Sequence, residues 1–92
     1  MILGKVIGNL HATIHHPFFA GRKLLVVEKI EPDGRTASGY LVAVDRAGAG
    51  PGETVLILDE GNGARQVLES ADGPVRSVIV GIVDEINEVK TP

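Results

Sequence analysis

A chain of 92 residues with a formal charge of −3 has room for one domain, and with 43% hydrophobic but only 3% aromatic residues its core must be Val, Ile, Leu and Ala. The absence of cysteine excludes disulfides and thiolate metal sites, and moves the stabilisation of so small a core toward oligomerisation. The acidic balance and the lack of a basic block argue against general nucleic-acid binding, and no apolar run approaches the ~18 residues of a spanning helix.

The N-terminus, MILGKVIGNL, also lacks a charged segment followed by a long apolar one. A cytoplasmic protein without a membrane partner is therefore expected. Short β-type runs then recur in chain order: Ile2–Ile7, with apolar character continuing to Ile14, then Lys23–Ile30, Tyr40–Val44, Thr54–Leu58 and Ser77–Ile86. Turn chemistry separates them at His16-Pro17 with Gly21, Pro32-Asp33-Gly34, Gly48–Gly52, Gly61-Asn62-Gly63 and Asp72-Gly73-Pro74. Ala64–Ser70 has good helix formers and predicts one short helix of two turns. Five short strands at near-regular spacing predict an all-β sandwich or small barrel, in one domain over 1–92.

The strand faces carry a second message. In Lys23–Ile30, Leu24 and Val26 face one way and Leu25 and Val27 the other; in Ser77–Ile86, Val78 and Val80 oppose Ile79 and Val83. A half-exposed strand alternates apolar with polar, and these do not. Both faces therefore need cover. A second subunit can supply it, and two-layer packing within the chain is the competing solution.

Three groups of residues invite a chemical reading. The first is the loop VDRAGAGPGETVLIL, where Gly48, Gly50 and Gly52 fall within five positions. It lacks the Gly-Lys-Ser/Thr of a phosphate-binding loop, and Glu53 stands where a dinucleotide fingerprint needs its third glycine. It also leads into a strand-like run, whereas both phosphate motifs open a helix. The remaining reading is a turn that needs positive φ or close backbone approach, at Gly50 among others, with Asp45 and Glu53 accepting backbone N–H bonds.

The second group is His11, His15 and His16. On a strand His11 and His15 would lie ~13 Å apart, too far for one metal ion, so solvated or interfacial histidines are expected and no metal is assigned. The third is any catalytic set. Ser38, Ser70 and Ser77 are the only serines, none lies in G-x-S-x-G, and Asp84-Glu85 and Asp59-Glu60 present no acid–base pair. No enzyme activity and no cofactor are expected.

Read in order, several stretches resemble one family. MILGKVIGNLHAT resembles the first strand of the bacterial microcompartment vertex proteins of the EutN/CcmL type, and HPFFAGRKLLVV resembles their second block. VAVDRAGAGPGETVL resembles their most distinctive stretch, GNGAR the start of their short helix, and PVRSVIVGIVD their last strand. The resemblance runs from Met1 to about Glu88. The chain departs from the pattern at Arg76, where an aspartate is usual, and at Gly61–Arg65, where a serine-containing version is usual.

The resemblance implies a five-stranded β-barrel related to the OB-fold, with one short helix, assembled as a cyclic pentamer. Such a homopentamer would cap the five-fold vertices of an icosahedral shell whose facets are hexameric shell proteins. It further implies a subunit contact near the glycine loop, with Asp45, Gly48, Ala49, Gly50, Gly52, Glu53, Arg65 and Arg76 as candidate interface and assembly residues. Two other readings stay open. One is an OB-type module for single-stranded nucleic acid or a small ligand, although Phe18, Phe19 and Tyr40 are the only aromatics. The other is a small metal-binding subunit built on the three histidines.

Overall fold

The computed structural model of the chain describes residues 1–11, 15–71 and 73–87. Five strands close into a barrel in the order β1-β2-β3-β5-β4, formed by β1 (Ile2–Leu10), β2 (Leu24–Ile30), β3 (Thr36–Asp45), β4 (Thr54–Asp59) and β5 (Ser77–Ile82), with one helix α1 (Gly61–Val67). All neighbouring pairs are antiparallel except β3 and β5, whose short parallel ladder of Val44↔Val78 and Asp45↔Ile79 closes the ring. The expected all-β barrel with one short helix is therefore formed.

The barrel interior is filled by one side chain in two from each strand. Val6, Leu25, Val27, Ala43, Val55, Ile57 and Ile79 form one buried cluster, and all are at most 1% exposed. At ~1.5–3 kcal/mol for each fully buried aliphatic side chain, this cluster dominates the stability of a 92-residue fold. A second cluster lies outside the barrel wall. There Val44, Ala64, Leu68, Val75 and Val78 pack with Phe18, Phe19 and Leu58. Here α1 and the 3-10 turn Pro17–Phe19 cover β5 and the end of β3. Two-layer packing within the chain thus covers Val78 and Val80 of the second apolar face of β5, and leaves Ile82 exposed.

Four boundaries differ from the sequence expectation, three of them for a reason of pairing or packing. The first strand ends at Leu10; of the tract expected to continue, Ala12–Ile14 lie outside the described residues. The third strand begins at Thr36, not Tyr40, because Thr36 pairs with Ile30 across the hairpin. The turn there is closed by Gly34 N–H to Glu31 O at 2.8 Å and Glu31 N–H to Arg35 O at 2.8 Å.

The last strand stops at Ile82, not Ile86, because its partner begins at Thr54 and Val83 N–H makes the final bond, to Thr54 O at 2.8 Å. The helix spans Gly61–Val67, three residues earlier than Ala64–Ser70. Gly63 serves the packing: a Cβ there would lie 2.7 Å from Leu58 Cδ2, so a larger residue would make the Leu58 side chain shift where α1 approaches β4. The helix ends where Glu69 takes φ 55 and Ser70 N–H donates to Arg65 O at 2.9 Å.

Candidate functional site

The loop between β3 and β4 is held by two carboxylates. Asp45, whose side chain is 1% exposed, accepts from the N–H groups of Ala47 at 3.0 Å, Gly48 at 3.1 Å and Ala49 at 2.9 Å. Lys23 lies across it, with Nζ 3.3 Å from Asp45 Oδ2 and 2.6 Å from the Ala49 carbonyl oxygen. Glu53 Oε1 accepts from Gly50 N–H at 2.7 Å. The loop is then stapled to β1, with Gly52 N–H donating to Val6 O at 2.8 Å and Val6 N–H to Glu53 O at 3.0 Å. Ala49 is fully buried in the barrel cluster and plugs that end.

A buried carboxylate with three backbone donors and a lysine is satisfied in full, as a charge removed from water must be. Positive φ occurs at Gly48, φ 78, and at Gly52, φ 84. Gly50 does not have positive φ, which corrects that part of its expectation, and within the chain a Cβ there would meet only Glu53 Oε1, at 3.5 Å. The left-handed backbone falls on its two neighbours.

The eight candidate residues do not form one cluster. Six belong to the loop. Arg65 lies on α1, where it donates to Asn62 Oδ1 and where Nη1 approaches Gly61. Arg76 precedes β5 and donates through Nε to Asp59 Oδ1 at 3.2 Å. Asp59 also accepts the Ser77 hydroxyl. The Ser77 hydrogen bond, the Arg76 charge and hydrogen bond, and the more distant Lys29 charge hold the Asp59 carboxyl below its ordinary value, against the opposing effect of burial.

The histidines follow the solvated pattern. His11, His15 and His16 are all exposed, and His16 caps the 3-10 turn by accepting the Phe18 N–H at Nδ1, 3.0 Å away. Among the described residues no three His, Cys, Asp or Glu side chains are grouped so as to hold a metal ion. Phe18 and Phe19 meet edge-on at 5.1 Å, and Arg22 lies 4.3 Å above the Phe18 ring. Two of the three aromatic rings are thus engaged in packing, which leaves Tyr40 as the exposed one.

Sequence reasoning found that both faces of β2 need cover but not which residues of its neighbours join its outer face. On the outer face of β1-β2-β3 the register aligns Leu10 with Leu24 and Val44, and Gly8 with Val26 and Val42. Leu10 is 42% exposed and Val42 40%, and the bulge residue Ile7 between Val6 and Gly8 is 53% exposed. The Val44 end of this face is covered by the second cluster, against which Leu24 also packs, whereas Ile7, Leu10 and Val42 have no such cover within the described residues. The doubled apolar pattern of Leu24 and Val26 was the available signal; the contributions of Leu10 and Val42 depend on register, which the sequence does not display.

A family model described as ethanolamine utilisation protein EutN/carboxysome matches residues 1–84. The shell vertex protein EutN of Escherichia coli is 43% identical over 86 residues, which cover 94% of this chain and 90% of that protein. The carboxysome shell vertex protein CcmL of Synechocystis is 38% identical over 87 residues, covering 95% of this chain and 86% of that one. The solved structure of GrpN, a pentameric microcompartment shell protein of Rhodospirillum rubrum, superimposes with a TM-score of 0.84 at 38% identity, covering 97% of this chain and all of that one. With the barrel order, the carboxylate-held glycine loop and these likenesses together, the chain belongs to the EutN/CcmL family of microcompartment shell proteins.

Proposed function

We propose that this protein is a structural subunit of a bacterial microcompartment shell, closing as a homopentamer at the five-fold vertices of a cytoplasmic shell. Hexameric shell proteins would meet it along the facets. It has no enzymatic role in this reading, and takes neither nucleic acid nor membrane as partner. The observation that carries the proposal is the uncovered apolar face of β1-β2-β3, centred on Leu10, Val26 and Val42. A patch of this kind on a small soluble barrel marks a protein contact. Membership of a family with vertex proteins and a pentameric shell protein among its relatives supports a contact between copies in a ring. The engagement of Phe18 and Phe19 in packing supports this reading over an oligonucleotide partner, since it leaves Tyr40 as the one exposed ring for stacking.

Native mass spectrometry of the untagged protein tests this. Five copies of the 9.7 kDa chain, about 48.5 kDa, should dominate. A monomer at micromolar concentration would contradict it.

A further inference from the structure

The outer apolar face ends in a groove of about 480 Å³, walled by Leu10, Leu24, Val42 and Val44 and bearing the nitrogen groups of His15, His16 and Arg76. Arg76 is 78% exposed at its side chain and uses Nε for Asp59; among the described residues its two terminal nitrogens have no hydrogen-bond partner. The groove is therefore an apolar cleft with a cationic group at its margin.

A segment of complementary chemistry lies at the other end of the barrel. Ile82 and Ile86 are 36% and 38% exposed, and between them stand the exposed carboxylates Asp84 and Glu85. In an extended chain Ile82, Asp84 and Ile86 share one face, with the two isoleucines ~13 Å apart. The segment lies beside Ile30, Pro32 and Thr54, at the hairpin end of β2, whereas the groove is at the Leu24 end. Strand β5 starts at the groove with Ser77 and runs ~17 Å away from it before the segment begins. The chain thus directs this segment away from its own groove.

We propose that residues Ile82–Ile86 of one copy dock in the groove of the next copy, the isoleucines along the apolar wall of Leu10, Leu24 and Val42 and Asp84 toward Arg76. Two different patches meet in such a contact, so it is head-to-tail and propagates around a ring. The inference rests on the pentamer reading and deepens it by naming the two contacting surfaces. It also gives Arg76 a function at the place where the chain departs from the usual family residue.

The cysteine-free sequence permits a direct test on the full chain. The double variant Ile86→Cys with Val42→Cys is oxidised and run on a denaturing gel without reductant. Docking in the next copy gives a ladder up to five copies that collapses on reduction. Ile86→Cys paired with Gln66→Cys on α1 should give about tenfold less, since a disulfide forms only between close Cβ atoms. An intact ring by native mass without the ladder overturns the tail contact and leaves the pentamer standing. A monomeric unsubstituted chain overturns the pentamer reading, and this contact with it. Should the double variant fold poorly, Ile86→Asp is read instead. The ring should then dissociate at a concentration at least about tenfold higher, because one anchor in a buried contact carries that much. An unchanged midpoint overturns the proposal.

Discussion

The glycine loop and the outer sheet face handle their needs in opposite ways. Between Asp45 and Glu53, the two carboxylates, Lys23 and strand β1 supply the hydrogen bonds that hold the loop. On the outside of β1-β2-β3, Leu10 and Val42 are left exposed beside the half-buried Leu24 and Val26. The loop is complete within one chain; the proposed function has the face completed by another. Stability of the subunit and formation of the ring should therefore respond to different substitutions.

The largest expected effect on the subunit is at Asp45. Asp45→Ala removes the acceptor for three backbone donors and the partner of Lys23, and should lower the unfolding free energy by about 2–4 kcal/mol. Urea unfolding at a concentration where the protein is monomeric measures this. A loss under about 1 kcal/mol would mean that water replaces the carboxylate and that the loop is not held as described.

The glycines sharpen the same side of the comparison at smaller scale. Gly48→Ala and Gly52→Ala place a Cβ at φ 78 and φ 84 and should each lose about 1 kcal/mol. Gly50→Ala should stay within about 0.5 kcal/mol, since its backbone is not left-handed and its Cβ position is open apart from Glu53. Equal losses at all three positions would indicate a close approach from outside the chain.

The smallest expected effect is acid sensitivity at Asp59. Its carboxyl is depressed below the ordinary 3.8, chiefly by the Ser77 hydroxyl and then by Arg76. Its contribution is then present above the unfolded value and is lost as pH falls through the lower folded value. Ser77→Ala should raise the folded value and shrink the difference in melting temperature between pH 7 and pH 3. Melting curves at the two pH values check this, and an unchanged difference would remove Asp59 from the acid response.

Much of this organisation was legible in the sequence. Val-rich runs located β2 and β4 to within one residue of their observed ends. The two acids flanking the glycines announced acceptors for a turn, because short carboxylates beside a loop have few other uses. What escaped notice depends on partners distant in the chain. Lys23 meets Asp45 only because β2 pairs with β3. Thr36–Gly39 reads as loop by composition and becomes strand through its pairing with β2. Gly63 reads as part of a turn until Leu58 is seen beneath it. The groove joins Leu10, Leu24, Val42 and Arg76 from four separate segments, so no local pattern could reveal it.

The central claim is that the outer face of β1-β2-β3 is the surface a second copy covers. Val42→Asp places a charge there without touching the barrel core or the loop. Native mass spectrometry of this variant beside the unsubstituted protein tests the claim most directly. The predicted result is loss of the five-copy mass, about 48.5 kDa, in favour of the 9.7 kDa chain. A five-copy ring that survives Val42→Asp unchanged would contradict it.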